Sequence, residues 1–80
     1  MKKTINQIKM GDCVTIEGYN KTDRIYREKL LSMGLTPGTN FRLVSRAPMG
    51  DPVEIEIRGF RLTLRAHEAE ILVLQGDNDE

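Results

Sequence analysis

The chain has 80 residues, enough for one small domain that buries roughly 60% of the surface its unfolded form exposes. Hydrophobic residues make up 39% and charged residues 30%, the composition expected of a soluble globular protein and not of a disordered or membrane-embedded one. The formal net charge of zero hides an uneven distribution: residues 1–65 carry twelve Lys and Arg against seven Asp and Glu, while residues 66–80 carry five acids and neither Lys nor Arg.

The opening MKKTINQIKMGD has no apolar run behind Lys2 and Lys3, so no secretory signal is expected, and no later stretch is long enough to span a bilayer. These features predict a cytoplasmic protein. The single cysteine, Cys13, agrees with a reducing compartment and cannot form an internal disulfide.

DCVTIEGY, residues 12–19, alternates with Val14 and Ile16 on one side, which predicts a strand with one buried face. TDRIYREKLLSMG changes to helical spacing over about residues 22–33, with Thr22 or Asp23 as the cap. Ile25, Tyr26, Leu30 and Met33 fall in one arc expected to face the core, together with Lys29, which must extend its ammonium to water. Leu31 lies about 100° from Leu30, outside that arc.

Gly34 is placed to end the helix in the left-handed conformation, with Leu35 packing back on Leu30. Pro37 and Gly38 suit the centre of a type II turn. A strand over Thr39–Ala47 then sets Phe41, Leu43, Ser45 and Ala47 on one face, and PMGDP supplies a loop through Gly50, Asp51 and Pro52.

VEIEIRGFRLTLR reads as a hairpin. With Gly59 and Phe60 as the centre of a type II′ turn, Ile55 faces Leu64, Glu56 faces Thr63, Glu54 faces Arg65, and Arg58 faces Arg61 at the tip. AHEAE predicts a single helical turn and ILVL a last short strand. The expected fold is mainly β: a small, partly open SH3-like barrel of about five strands, with one α-helix between the first and second. The domain is assigned to 1–74 and an acidic, disordered tail to 75–80.

Three separated motifs, LLSMGLTPG, APMGDP and RGFRLTLRAHEAEILV, resemble the FeoA family in their order and spacing, over roughly Leu30 to Val73. Met49 stands where that resemblance suggests leucine or a similar residue. The resemblance implies a small cytosolic SH3-like protein that binds the cytosolic part of a FeoB-like ferrous-iron permease. It would lie at the inner membrane only through that partner, and self-association is compatible with it. The same resemblance extends to the C-terminal domains of iron-dependent repressors.

The chain's own chemistry points the same way. One histidine and one cysteine in distant segments, with no glycine-rich phosphate loop, do not make an enzyme, and no cofactor is expected. His67 and Glu70, with Glu68 between them, are too few for a metal site and read more simply as a solvated turn. A small barrel can bind nucleic acid, yet four scattered aromatics and zero net charge supply neither stacking platforms nor a strong basic face. The remaining class is a protein-docking module. Its candidate surface combines Leu31 and Met49 with Arg27, Arg46 and Arg58 at the rim.

Overall fold

The structure, a computed structural model, describes residues 2–20 and 24–76. Six strands form one antiparallel sheet: β1 Lys2–Lys3, β2 Cys13–Tyr19, β3 Asn40–Arg46, β4 Val53–Ile57, β5 Phe60–Leu64 and β6 Leu72–Gly76. Their order is β1-β6-β2-β3-β4-β5, and the SH3-like sheet is partly open. Helix α1, Arg24–Ser32, follows β2, and the single turn α2, Ala66–Ala69, separates β5 from β6. β1 is the strand that the sequence does not announce: with two residues it has no alternation to read. Because of it the helix lies between the second and third strands. Lys2 pairs with Gln75, so the two ends of the described chain meet at one edge of the sheet.

The core contains Val14, Ile16, Phe41, Leu43, Val53, Ile55, Ile57, Leu64, Leu72 and Leu74 from the strands, and Leu30 and Leu35 from the end of α1. Ile5 and Ile8 join it from a 3₁₀ turn at Ile5–Gln7, a second element without a sequence expectation. Ile5 is fully buried there, and the Thr4 N–H donates to Gln7 Oε1 at 2.9 Å to start the turn.

Four details differ from the sequence expectations. Ile25 is 76% exposed, because the arc that meets the barrel is narrower than expected. Only Leu30 is buried on α1, with Tyr26 and Met33 packed beside it; Ile25 lies about 140° from Leu30 around the helix. The cap expected at Thr22 or Asp23 falls outside the described residues. At the other end of the chain, Gln75 and Gly76 pair within β6, so the sheet claims the first two residues assigned to the acidic tail, whose remainder, 77–80, also falls outside the described residues.

The hairpin register is the third difference. Ile57 pairs with Phe60, Ile55 with Leu62 and Val53 with Leu64, so the turn centres on Arg58 and Gly59. Both have positive φ, 53° and 86°, which is a type I′ turn and not the type II′ turn expected. The displacement is two positions on the partner strand, so the buried face is kept. Glu56 thus stands opposite Arg61, and Arg58 has no arginine across from it.

The fourth is a β-bulge. Leu43 pairs with Ile55, but the next pair is Ser45 with Glu54, leaving Val44 as the extra residue. Past the bulge the alternation is re-phased. Arg46 comes opposite buried Val53, where unbroken alternation would have put Ser45 and Ala47 on that face.

Candidate docking surface

Helix α1 ends in a Schellman motif: the Leu35 N–H donates to the Leu30 carbonyl and the Gly34 N–H to the Leu31 carbonyl, both at 3.0 Å, with Gly34 at φ +89°. Leu30 and Leu35 are both fully buried, which pins the last turn of the helix on the barrel. That orientation leaves Leu31 on the outer flank, 40% exposed. Arg27, one helical turn earlier, lies on the same flank.

Thr36–Thr39 follow as a turn closed by the Thr39 N–H on the Thr36 carbonyl at 3.1 Å, with Gly38 at φ +92°. Arg58 reaches this region from the hairpin tip. Its guanidinium is 3.5 Å from Thr39 Oγ1 and 3.9 Å from where a β-carbon on Gly34 would stand. A cation there complements the carbonyl end of α1. Leu31 and Arg27 thus share one flank of the helix, and Arg58 stands by Gly34 at its C-terminal end. Tyr19 lies under the same flank and donates its hydroxyl to the Leu35 carbonyl at 2.6 Å. Burial raises its pKa, and the charge of Arg27 pulls the other way.

Two residues of the expected surface do not join Arg58 at the end of α1. Met49 is 91% exposed in the loop before β4, whereas Arg58 follows the last residue of β4. A five-residue strand separates them, about 16 Å. Arg46 faces inward after the bulge and donates to the carbonyls of Ile5 and Ile8, each at 3.0 Å. Its guanidinium closes the N-terminal 3₁₀ turn and is no rim charge. Nothing local in FRLVSRA signals this, because the bulge arises from pairing with β4.

The loop carrying Met49 is tied down. The Gly50 N–H donates to the Ala47 carbonyl at 2.7 Å, Gly50 has φ +84°, and the Asp51–Pro52 peptide is cis. Asp51 Oδ1 accepts the Ala66 N–H at 2.9 Å, fastening the loop to the start of α2.

The three groups considered for a metal turn to different partners. The His67 ring meets Tyr26 edge-on at 5.7 Å, Glu68 bonds Lys29 at 2.7 Å, and Glu70 accepts from Asn6 at 2.8 Å. Glu68 is buried, not solvated as the sequence suggested. Among the described residues no three His, Cys, Asp or Glu side chains come together as a metal site would need. On the outer sheet face, Cys13, Arg42, Glu56, Arg58 and Gly59 line an open groove of about 410 Å³, within which Arg42 pairs with Glu56.

Comparison with known proteins places this geometry. A family model described as the FeoA domain matches residues 3–75. Among solved structures, the chain is similar to a FeoA-like protein from Clostridium acetobutylicum, with 28% identity over 99% of this chain and 91% of that one and a TM-score of 0.87. It shares its fold with Stenotrophomonas maltophilia FeoA, described as a prokaryotic SH3 domain protein complexed with zinc, at 21% identity over 91% and 89% of the two chains and a TM-score of 0.77. It also shares its fold with a manganese-dependent transcriptional repressor, at 15% identity and a TM-score of 0.84, over 94% of this chain and 41% of that one. The family match spans nearly the whole sheet, and the fold around α1 is the one found in those proteins: the chain belongs to the FeoA family.

Proposed function

We propose that this protein is a non-enzymatic, cytoplasmic accessory factor of ferrous-iron uptake that docks on the cytosolic part of a FeoB-like permease and supports its assembly or activity. The observation that carries this reading is Leu31: a FeoA-family chain holds an aliphatic side chain 40% exposed on a helix flank, with Arg27 one turn before it and the guanidinium of Arg58 beside Gly34, three residues after it. An apolar anchor with charged neighbours suits a small docking surface, in which the anchor supplies affinity and the charges tune encounter and specificity. No helix among the described residues is long and apolar enough to cross a membrane, so on this reading the protein reaches the membrane through its partner.

The test is co-purification of the permease and ferrous-iron uptake in cells. Leu31→Glu should abolish both while the circular dichroism spectrum and melting temperature stay near those of the parent. Met49→Asp should leave both intact, since Met49 sits at the far end of the hairpin. Normal uptake in Leu31→Glu would refute this surface.

A further inference from the structure

We propose that the protein also self-associates, weakly, by pairing the free edge of β5 antiparallel with the same edge of a second copy, about a two-fold axis at Leu62. Among the described residues β5 is one of the two edges of the sheet; the other, β1, has two residues. Ile57 and Phe60 flank the two-residue turn and so exchange both hydrogen bonds, as do Ile55 with Leu62 and Val53 with Leu64. The N–H and C=O groups of Arg61 and Thr63 therefore point away from β4. No turn, loop or cap hydrogen bond among the described residues uses them. Such a row is a template for another strand. Phe60, 49% exposed, and the half-buried Leu62 border it on the core side.

The charges on β5 select the occupant and the register. Centred on Leu62, the pairing sets Arg61 of each copy opposite Thr63 of the other, closing both pairs of hydrogen bonds, while Leu62 meets Leu62 and Phe60 meets Leu64. On the outer face, the row Arg42–Glu56–Arg61 of one copy continues into Thr63–Glu54–Ser45 of the other; no like charges stand directly opposite, and Arg61 meets Arg61 and Arg65 of the other copy only on the diagonal. Sliding one copy by two residues brings Arg61 opposite Arg61 in one direction and opposite Arg65 in the other, both unfavourable. Of these three registers, the one centred on Leu62 alone sets no arginines directly opposite each other. Five-residue strands make a contact well below that of a stable dimer, so a dissociation constant on the order of 100 µM is expected.

Amide hydrogen exchange on the unmodified protein tests this. Between about 20 µM and about 1 mM, a dimer of that affinity slows the exchange of the Arg61 and Thr63 amides roughly fourfold and leaves the amides of the β1 edge unchanged. Thr63→Pro, which removes an outward N–H and spares the β4 ladder, should keep the fold and stay monomeric in sedimentation at about 1 mM. Exchange at Arg61 and Thr63 that does not change with concentration would overturn the proposal, as would a dimer that forms while those two amides stay fast or one that survives Thr63→Pro.

Discussion

Lys29 on the helix and Glu68 in the α2 turn are joined by a 2.7 Å hydrogen-bonded ion pair, in which the carboxylate is buried and the ammonium half-exposed. The hydrogen bond from Lys29 holds the Glu68 carboxyl below its ordinary pKa, against the opposing effect of burial. A carboxyl depressed in the folded state stabilises the fold above its unfolded pKa of about 4.3, and that contribution disappears as pH falls through the folded value. Lys29→Met leaves the carboxylate buried without its donor, so stability near pH 7 should fall by about 1 to 2 kcal/mol, the lower part of the range because the ammonium is half-exposed. The gap between parent and variant should then narrow as pH falls below the unfolded pKa, and should be smallest below the parent's folded value, where the carboxyl is protonated in both. Urea denaturation across that range gives the comparison, and a gap independent of pH would assign the loss to packing.

Arg46 should behave as a structural residue. Arg46→Ala removes both donors from the Ile5 and Ile8 carbonyls, at a cost of about 1 to 3 kcal/mol. Arg46→Lys should recover less than half, because an ammonium does not reproduce the fork of a guanidinium. Denaturant midpoints and proteolysis near Lys9 report the effect. Permease binding by whatever folded fraction remains should be normal.

Asp51 caps α2 from fifteen residues away. Asp51→Ala should cost about 1 kcal/mol and lower the melting temperature by several degrees, while Asp51→Asn, which retains an acceptor, should keep most of it. Thermal melts of the two variants separate the loss of the acceptor from the loss of charge.

Arg58 occupies a left-handed position that asparagine or glycine fills at lower energy. Relief of that strain, roughly 1 kcal/mol or more, exceeds the few tenths contributed by an exposed cation at a helix end. Arg58→Asn should therefore raise the melting temperature by a few degrees. On the docking surface proposed above, the same change should weaken permease binding. A variant that gains stability and loses affinity together would mark Arg58 as a residue kept for recognition.

Turns were the most legible part of this sequence, because Gly34, Pro37 and Gly38 have local chemistry that admits few conformations. The hairpin misled for the same kind of reason. Arginine is a poor occupant of a type I′ turn, so local preference moved the centre to Gly59 and Phe60, whereas strand pairing and the reach of Arg58 to Thr39 fix it one residue earlier. The bulge after Leu43 coincides with the adjacent apolar pair Leu43–Val44 in FRLVSRA, but that break identifies a bulge only once the pairing with β4 is known. Lys29 was visible as an oddity on an apolar arc, but its partner lies 39 positions away and the pairing is set by packing alone. Of the expected surface, Leu31 could be found from helical geometry, and Arg46 could not be assigned without the register of β3 on β4.

The pairing of Lys2 with Gln75 bears on how this fold can be carried by other polypeptides. Incoming and outgoing segments are neighbours in the sheet, about 4.8 Å apart. A host chain could receive the whole unit at a single surface point, as a guest that neither stretches the host's backbone nor threads through it. Fusion on either side should likewise leave the β5 edge unpaired, since β5 stands at the other end of the strand order from β1.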